Sequence, residues 1–434
     1  MTETELNDIV TALNSGLVPR SGIENIMVGR EDVIKQINKD LDNVKKGLSL
    51  TKFIIGKYGT GKSFMQAVIT QKGYEKNFVV SKVDFSPYRR LYNNDGMGRA
   101  TYTEIIKNMS TKTSASNTIE NIIELWISNQ IALFSSEPDF DLTKQEYINK
   151  IVINIKKEIK DIDTCFGGTD FSDVLTIYLK SYIDGNLEIQ RNCIKWISGE
   201  YPNVSLAKRD LGVSVIINDQ NYYEFLKVIC KFVVLSGYAG FIINFDEVVN
   251  LYKISIKTIR DKNYEMILRI FNDTIQGDIH NLFITFSGTP QFLEDEFKGL
   301  FSYGALKRRL STNKYEDNSI YDYSQPVIKL RSLKNEEIFI LLKKLVNIHE
   351  LYYQYTSNVS DNDILNFIKD QYNNLENSKI TVGEIIRDFF GLLNILQKNS
   401  SLSFNNVFYS NKKESNIDYS KNELDNVFDR FECM

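Results

Sequence analysis

Apolar and polar positions along the chain follow two rhythms, and together they predict an α/β fold. Short runs of β-branched and aromatic residues, each closed by a glycine, a proline or an acidic residue, are typical of buried parallel strands. Between them, apolar residues recur every three or four positions, which indicates amphipathic helices. The predicted strands lie near 53–55, 78–84, 241–246, 282–288 and 327–330, and the predicted helices near 5–15, 33–44, 64–69, 101–109, 117–135, 143–160, 170–183, 221–236, 262–277, 334–350, 361–373 and 381–397.

The clearest motif follows the first predicted strand. It has the form Gly-x-x-x-x-Gly-Lys-Ser, and an apolar stretch without helix breakers continues to Ile69. Strand, glycine loop and helix are the context that a phosphate-binding loop requires. Glycines let backbone N–H groups approach phosphate oxygens, while the lysine supplies a positive charge and the serine a hydroxyl ligand for Mg²⁺. We therefore expect an ATP site whose binding residues are Gly56, Lys57, Tyr58, Gly59, Thr60, Gly61, Lys62, Ser63 and Phe64.

A second motif lies much farther along, where an apolar run that begins at Phe241 closes in Asp246 and Glu247. An acidic pair after a buried strand is common by itself, but here it follows a valid phosphate loop. Asp246 is then expected to hold Mg²⁺ together with Ser63, and Glu247 to polarise the water that attacks the γ-phosphate. With Lys62, these carboxylates form the centre of the predicted catalytic set.

Four further candidates each have a structural alternative. Thr289 and Ser287 end the next predicted strand, and they either contact the γ-phosphate or cap the turn before Pro290. Arg308 and Arg309 either reach the γ-phosphate of a neighbouring subunit in a homo-oligomer or complement the end of their own helix. The sequence leaves both pairs of alternatives open.

Composition narrows the function further. The 434 residues are 42% apolar and 25% charged, as expected for a globular protein of two or three domains, and a net charge of −4 gives no overall basic field for nucleic acid. Widely spaced cysteines and only two histidines argue against a metal cluster, a disulfide framework and a Ser-His-Asp hydrolase. Neither a signal peptide nor a membrane span is predicted, so we expect a cytoplasmic protein with no membrane association.

The motifs divide the chain into three predicted regions. Residues 1–50 form an N-terminal helical segment, and residues 51–325 form the ATPase core, with a helical insertion at about 100–210. Residues 326–434 form a C-terminal helical subdomain that ends in a polar tail.

Two of these regions resemble parts of the AAA+ and STAND ATPases. In those families a segment like Val28-Gly29-Arg30 packs beside the adenine, although such a segment is also a simple turn before a helix. The three C-terminal helices resemble an AAA+ lid, in which Arg387 would reach back to the nucleotide unless it is a plain surface arginine. The expected fold is thus an AAA+-like P-loop NTPase: a parallel sheet flanked by helices, with a helical insertion and a C-terminal helical lid.

Further stretches extend the likeness over residues 16–400. The more specific ones are Trp196-Ile197-Ser198-Gly199-Glu200 and Ser287-Gly288-Thr289-Pro290, and the others are Tyr303-Gly304-Ala305-Leu306 and Thr381-Val382-Gly383-Glu384-Ile385-Ile386-Arg387. Combined with the two ATPase motifs, they resemble the ATP-binding proteins of BREX phage-defence systems, of the BrxD type. Lys57 departs from that family, which often has an acidic residue there, but this side chain need not touch phosphate.

The resemblance implies a Mg²⁺-dependent ATP hydrolase that acts as a motor or switch beside other defence-system proteins. A helicase-like component is the expected partner, and DNA is expected to be contacted indirectly. Two other functions stay open: a STAND-like nucleotide switch with little turnover, and a transposition-type ATPase that loads a partner on DNA. The position of Glu247 directly after Asp246 favours a true enzyme.

Overall fold

The structure is a computed structural model that describes residues 1–93, 95–137, 139–313, 321–373, 380–399 and 401–410. These residues form two compact units. The larger is Gly29–Ser332, and the smaller combines Met1–Val28 with the described residues from Leu333 onward. In the described part of the chain, no helix is both long enough and apolar enough to cross a membrane.

One six-stranded sheet organises the larger unit. Its strands are β1 (Leu50–Ile55), β2 (Val79–Asp84), β3 (Met109–Ser110), β4 (Phe241–Asp246), β5 (Leu282–Gly288) and β6 (Val327–Lys329). Their order is β3-β2-β4-β5-β1-β6, and every neighbouring pair is parallel except β2 with β3. The five parallel strands therefore end at one edge of the sheet, where ligands of open α/β sheets bind.

Helices make up most of the remaining described residues. They are α1 (Glu3–Asn14), α2 (Glu31–Lys45), α3 (Lys62–Glu75), α4 (Met97–Lys107), α5 (Thr118–Ala132), α6 (Gln145–Glu158), α7 (Lys160–Asp163), α8 (Gly168–Ile183), α9 (Leu187–Ile197), α10 (Val204–Leu211), α11 (Tyr222–Leu235), α12 (Val249–Tyr252), α13 (Lys257–Gln276), α14 (Pro290–Glu294), α15 (Gly304–Leu310), α16 (Asn335–Tyr353), α17 (Asp361–Asn373), α18 (Val382–Lys398) and α19 (Phe404–Ser410).

The two faces of the sheet differ in chemistry. One face carries a ladder of stacked rings from the residue that follows β2 and from β4, β5 and β1, with neighbouring centroids 4.9–5.2 Å apart: Phe85, Phe245, Phe286 and Phe53. Helix α13 packs on that side through Phe271, whose ring centroid lies 6.5 Å from that of Phe53. The opposite face is covered by α3, whose side chains bond to β4. Since each strand alternates between the two faces, the apolar ladder fixes which side chains point toward α3.

A helical insertion lies between β2 and β4. It runs from α4 to α10, and its aromatic side chains pack against α11. The Trp196 ring meets Phe225 edge-on with centroids 5.5 Å apart, and Trp126 meets Phe232 at 5.4 Å. The insertion therefore shares a continuous core with the helix that leads into β4.

The smaller unit packs α1 against α16 and α18. His349 on α16 is fully buried; its Nδ1 lies 2.9 Å from the Tyr355 hydroxyl and its Nε2 3.3 Å from Asn394 Oδ1. Burial lowers the pKa of His349 from its ordinary value. Asn394 also donates to Asn14 on α1, at 2.8 Å, so one polar network joins all three helices.

Most predicted elements are present in the structure. The α/β class, with a mostly parallel sheet flanked by helices, is confirmed. Strand β3 was not predicted, and residue 109, placed at the end of a predicted helix, belongs to it. Helix α19 lies in a stretch predicted as polar tail, and the remainder of that tail, from 411 onward, is outside the described residues. The limits of the three predicted regions stay predictions.

Candidate nucleotide site

The glycine loop joins β1 to α3 at the carboxyl edge of the sheet. Gly59 and Gly61 have φ of 79° and 87°, a left-handed conformation that glycine adopts without steric cost. A Cβ at Gly56 would collide with the Thr60 hydroxyl, so this position also requires glycine. Gly61 precedes the first turn of α3 and has no side chain to cap it. The first N–H groups of the helix are therefore suited to an anion such as phosphate.

Lys62 lies across this loop. Its Nζ donates to the carbonyl oxygens of Gly56 and Lys57, both at 3.0 Å. Burial lowers the pKa of the Lys62 ammonium, and the carboxylates of Asp246 and Glu247 oppose that shift. Lys62 therefore interacts electrostatically with both acidic residues, although they follow it by about 180 positions in the sequence.

The Asp246 carboxylate is held from both sides. Its Oδ1 accepts the Glu247 N–H at 2.9 Å, while its Oδ2 lies 3.3 Å from Ser63 Oγ. The Lys82 ammonium lies 3.5 Å from the same Oδ2. One carboxylate oxygen is therefore fixed by the backbone, and the other is directed at the serine of the glycine loop.

Glu247 has an exposed side chain and an unusual backbone. Its φ is 53°, in the left-handed region that residues with a Cβ seldom adopt. Such conformations cost about 1–3 kcal/mol and cluster at functional sites. Two backbone bonds hold the turn: the Glu247 N–H donates to Asp246, and its carbonyl accepts the Asn250 N–H at 2.9 Å. Neither bond uses the Glu247 side chain, which is exposed.

The parallel register places further polar groups beside Asp246. Asp84, at the end of β2, is paired with it, and Lys82 comes two residues earlier on the same face. Ser287 follows Phe286, the β5 residue that is paired with Phe245. The Ser287 hydroxyl is buried and has no hydrogen-bond partner in the described part of the chain. An unpaired buried hydroxyl next to a carboxylate is a group that a ligand can satisfy.

Arg30 forms a hydrogen bond with the backbone of the glycine loop. Its guanidinium is buried and donates to the Thr60 carbonyl at 3.1 Å and to the Arg331 carbonyl. Gly29 before it has a φ of 63°, and Val28 is buried in the smaller unit. The prediction that this segment borders the adenine remains a prediction, but Arg30 also has the role of fixing the loop backbone.

Other predicted site residues make contacts elsewhere. Thr289 caps α14 through a bond from the Phe292 N–H at 3.3 Å, which is the structural alternative for this residue. Arg308 and Arg309 are exposed on α15, and Arg309 donates to the Ala305 carbonyl of the same helix at 3.1 Å.

Arg387 and the remaining loop side chains can be placed as well. Arg387 belongs to the smaller unit, where it pairs with Asp388 at 3.1 Å. Lys57 and Tyr58 point into solvent, and Phe64 is half-buried at the start of α3. Among the side chains of the loop, those of Lys62 and Ser63 interact with the acidic pair.

Sequence reasoning did not identify Lys82 or Asn244. Both interrupt buried strands with a polar side chain on the α3 face, and they are paired in register. That interruption is the signal that would have revealed them, because central parallel strands are normally continuous apolar runs.

The residues present fit a magnesium nucleotide. A glycine cradle, a lysine and a helix N-terminus match a polyphosphate, and a hydroxyl beside a carboxylate oxygen is a typical Mg²⁺ ligand pair. The unpaired Ser287 hydroxyl is available to the same ligand. The fold, a mostly parallel α/β sheet with a glycine loop at its carboxyl edge, is compatible with the P-loop NTPase class.

The chain belongs to a known protein family. The family model for the BREX system ATP-binding protein BrxC/D matches residues 1–412, nearly the whole chain. Membership implies an ATP-binding role in a phage-defence system. No curated protein matches the chain significantly.

Proposed function

We propose that the protein is a Mg²⁺-dependent ATP hydrolase that acts as a motor or switch in a BREX-type defence complex. The observation that carries this proposal is the 3.3 Å contact between Ser63 Oγ and Asp246 Oδ2. It unites the two motifs in the arrangement that phosphoryl transfer requires: a hydroxyl and a carboxylate beside a lysine and a glycine cradle.

The chain's own residues then have defined roles. The loop N–H groups and Lys62 bind the β- and γ-phosphates, and Ser63 with Asp246 would hold Mg²⁺. The metal would supply positive charge to the phosphate oxygens there. Glu247 orients the attacking water and accepts its proton, and Ser287 donates to the γ-phosphate or to that water. Arg30 keeps the loop backbone in place through the Thr60 carbonyl.

A metal-removal experiment tests the reaction. Purified full-length protein is expected to release phosphate from ATP in single-turnover assays with Mg²⁺, and to release none when EDTA removes the metal. The assay is run with and without DNA, because the sequence analysis predicts that the protein contacts DNA indirectly. ATP binding without any phosphate release would support the STAND-like switch instead. Release that is unchanged by EDTA would contradict the roles of Ser63 and Asp246.

We propose further that Arg308 or Arg309 acts on a neighbouring subunit. The exposure of both side chains on α15 supports this, since neither forms an ion pair among the described residues. Arg308→Ala or Arg309→Ala is expected to lower kcat about 10²-fold, because one charge at the transition state is lost. ATP binding should be unchanged, and light scattering should show an oligomer that requires ATP.

The matched control for this prediction is Lys307→Ala on the same helix, because Lys307 pairs with Glu296 at 2.6 Å within one chain. A protein that stays monomeric with ATP and hydrolyses it at full rate would refute the trans role. The two arginines would then only complement the end of α15.

A further inference from the structure

Three polar rungs connect α3 to β4. Ser63, Gln66 and Thr70 lie on one face of α3, at positions i, i+3 and i+7. They reach three successive residues of β4: Ser63 contacts the Asp246 carboxylate, Gln66 Nε2 donates to the Phe245 carbonyl at 3.0 Å, and Thr70 Oγ1 accepts from Asn244 Nδ2 at 3.2 Å. The outermost rung belongs to the nucleotide site, and the two inner rungs lie behind it.

The innermost rung extends into the next strand. Thr285 Oγ1 on β5 donates to Asn244 Oδ1 at 2.7 Å, and the two residues are paired in register. Thr70 Oγ1 in turn donates to the Gln66 carbonyl at 2.9 Å. Asn244 and Thr285 are fully buried. The hydrogen bonds thus run without a break from β5 through β4 to α3, in a part of the sheet where apolar residues are the rule.

We infer that Thr285, Asn244 and Thr70, here called the α3–β4 bridge, act as positioning residues for the nucleotide site. This inference rests on the proposed function. The bridge fixes the position of α3 along the direction of β4, and this position sets the distance from Ser63 to Asp246. Buried polar networks fix one arrangement among several that apolar packing would permit. Misplacing a catalytic group by about 1 Å can lower the reaction rate by up to about 10²-fold. A bridge that holds α3 at one position along β4 therefore protects the rate.

The test removes the hydrogen-bonding groups of Asn244 and Thr285 in one double variant. In the double variant Asn244→Leu/Thr285→Val, the remaining member of the bridge does not lose its last hydrogen bond, since Thr70 keeps its bond to the Gln66 carbonyl. We expect its melting temperature to be equal to or higher than that of the wild type. We expect kcat to fall about tenfold and the Mg²⁺ concentration for half-maximal binding of a fluorescent ATP analogue to rise about tenfold. At saturating Mg²⁺, KM for ATP should change little.

A matched control comes from the opposite face of the sheet, where α13 packs. Thr51 and Thr274 form a buried hydroxyl pair, 3.2 Å apart, between β1 and α13. Thr51→Val/Thr274→Val removes a similar bond, and it is expected to leave kcat and the Mg²⁺ requirement unchanged. The single variants Thr285→Ser and Thr285→Val provide a second comparison, since only serine keeps the bond to Asn244.

Each outcome decides a specific point. A double variant with wild-type kcat and Mg²⁺ requirement would show that the bridge is merely structural. If the double variant does not fold, equal values for Thr285→Ser and Thr285→Val overturn the inference, and a loss with valine alone supports it. A wild type that binds the ATP analogue without hydrolysing it contradicts only the enzymatic proposal, because the Mg²⁺ titration still tests the bridge. A wild type that binds no nucleotide overturns both.

Discussion

Replacing Lys62 with alanine is expected to abolish ATP binding and hydrolysis. The Lys62 ammonium lies over the glycine loop and within the field of Asp246 and Glu247, so it is the cation that balances added phosphate charge. Charge-assisted bonds contribute about 1.5–3 kcal/mol each, so the loss of contacts to two phosphates should weaken binding at least about 10²-fold. Titration with a fluorescent ATP analogue measures the affinity, and a phosphate-release assay measures the turnover.

The control for this experiment is a lysine on the same helix. Lys72 pairs with Glu75 at 2.9 Å on α3, away from the loop, so Lys72→Ala should bind ATP like the wild type. Circular dichroism of both variants confirms that α3 is retained. If Lys62→Ala binds ATP with normal affinity, the glycine loop does not bind phosphate and the site must be sought elsewhere.

The sequence was sufficient for the long elements of the fold. Strands β1, β4 and β5 are buried on both faces and rich in β-branched and aromatic residues, and this composition separates them from the amphipathic helices. Strand β5, predicted as the next buried strand, lies beside the acidic strand β4. By contrast, β3 has two residues and pairs only at the sheet edge, so its sequence carries no period that a pattern could reveal.

One missed helix did carry a signal. Along α9, buried Cys193, Trp196 and Ile197 follow a helical spacing, and Asn186 caps the N-terminus through a bond from the Ile189 N–H at 3.2 Å. The polar stretch around it obscured the pattern. Helices shorter than two turns, such as α12 and α14, owe their form to tertiary packing and are not predictable in this way.

The site shows the same division between local motifs and long-range contacts. The glycine loop and the acidic pair were predicted because each is a local pattern with its own chemistry. Their contact at 3.3 Å depends on the register between α3 and β4, which no local pattern specifies. The role of Arg30 was hidden for the same reason, because its partners, the carbonyls of Thr60 and Arg331, are 30 and 301 positions away.

Replacing Glu247 with glutamine is expected to preserve ATP binding and remove turnover. Glutamine has nearly the same shape, and the backbone bonds from Glu247 to Asp246 and from Asn250 to Glu247 do not involve the side chain. The turn that fixes Asp246 should therefore persist. What is lost is the proton acceptor for the attacking water, an effect of about 10³-fold on the single-turnover rate.

Measuring binding and chemistry separately makes this prediction decisive. The affinity of Glu247→Gln for a fluorescent ATP analogue should stay within about twofold of wild type, since an uncharged amide removes no phosphate contact. Glu265→Gln is the matched control, because Glu265 is an exposed residue of α13 that pairs only with Lys262, at 2.9 Å, among the described residues.

Normal hydrolysis by Glu247→Gln would exclude Glu247 as the base. Asp84, paired with Asp246 at the same edge, would then be the next carboxylate to test, because it alone of the neighbouring strand ends carries one. If instead both binding and hydrolysis were lost, the strained turn at Glu247 would matter mainly for holding Asp246, and the charge of its side chain would be part of that support.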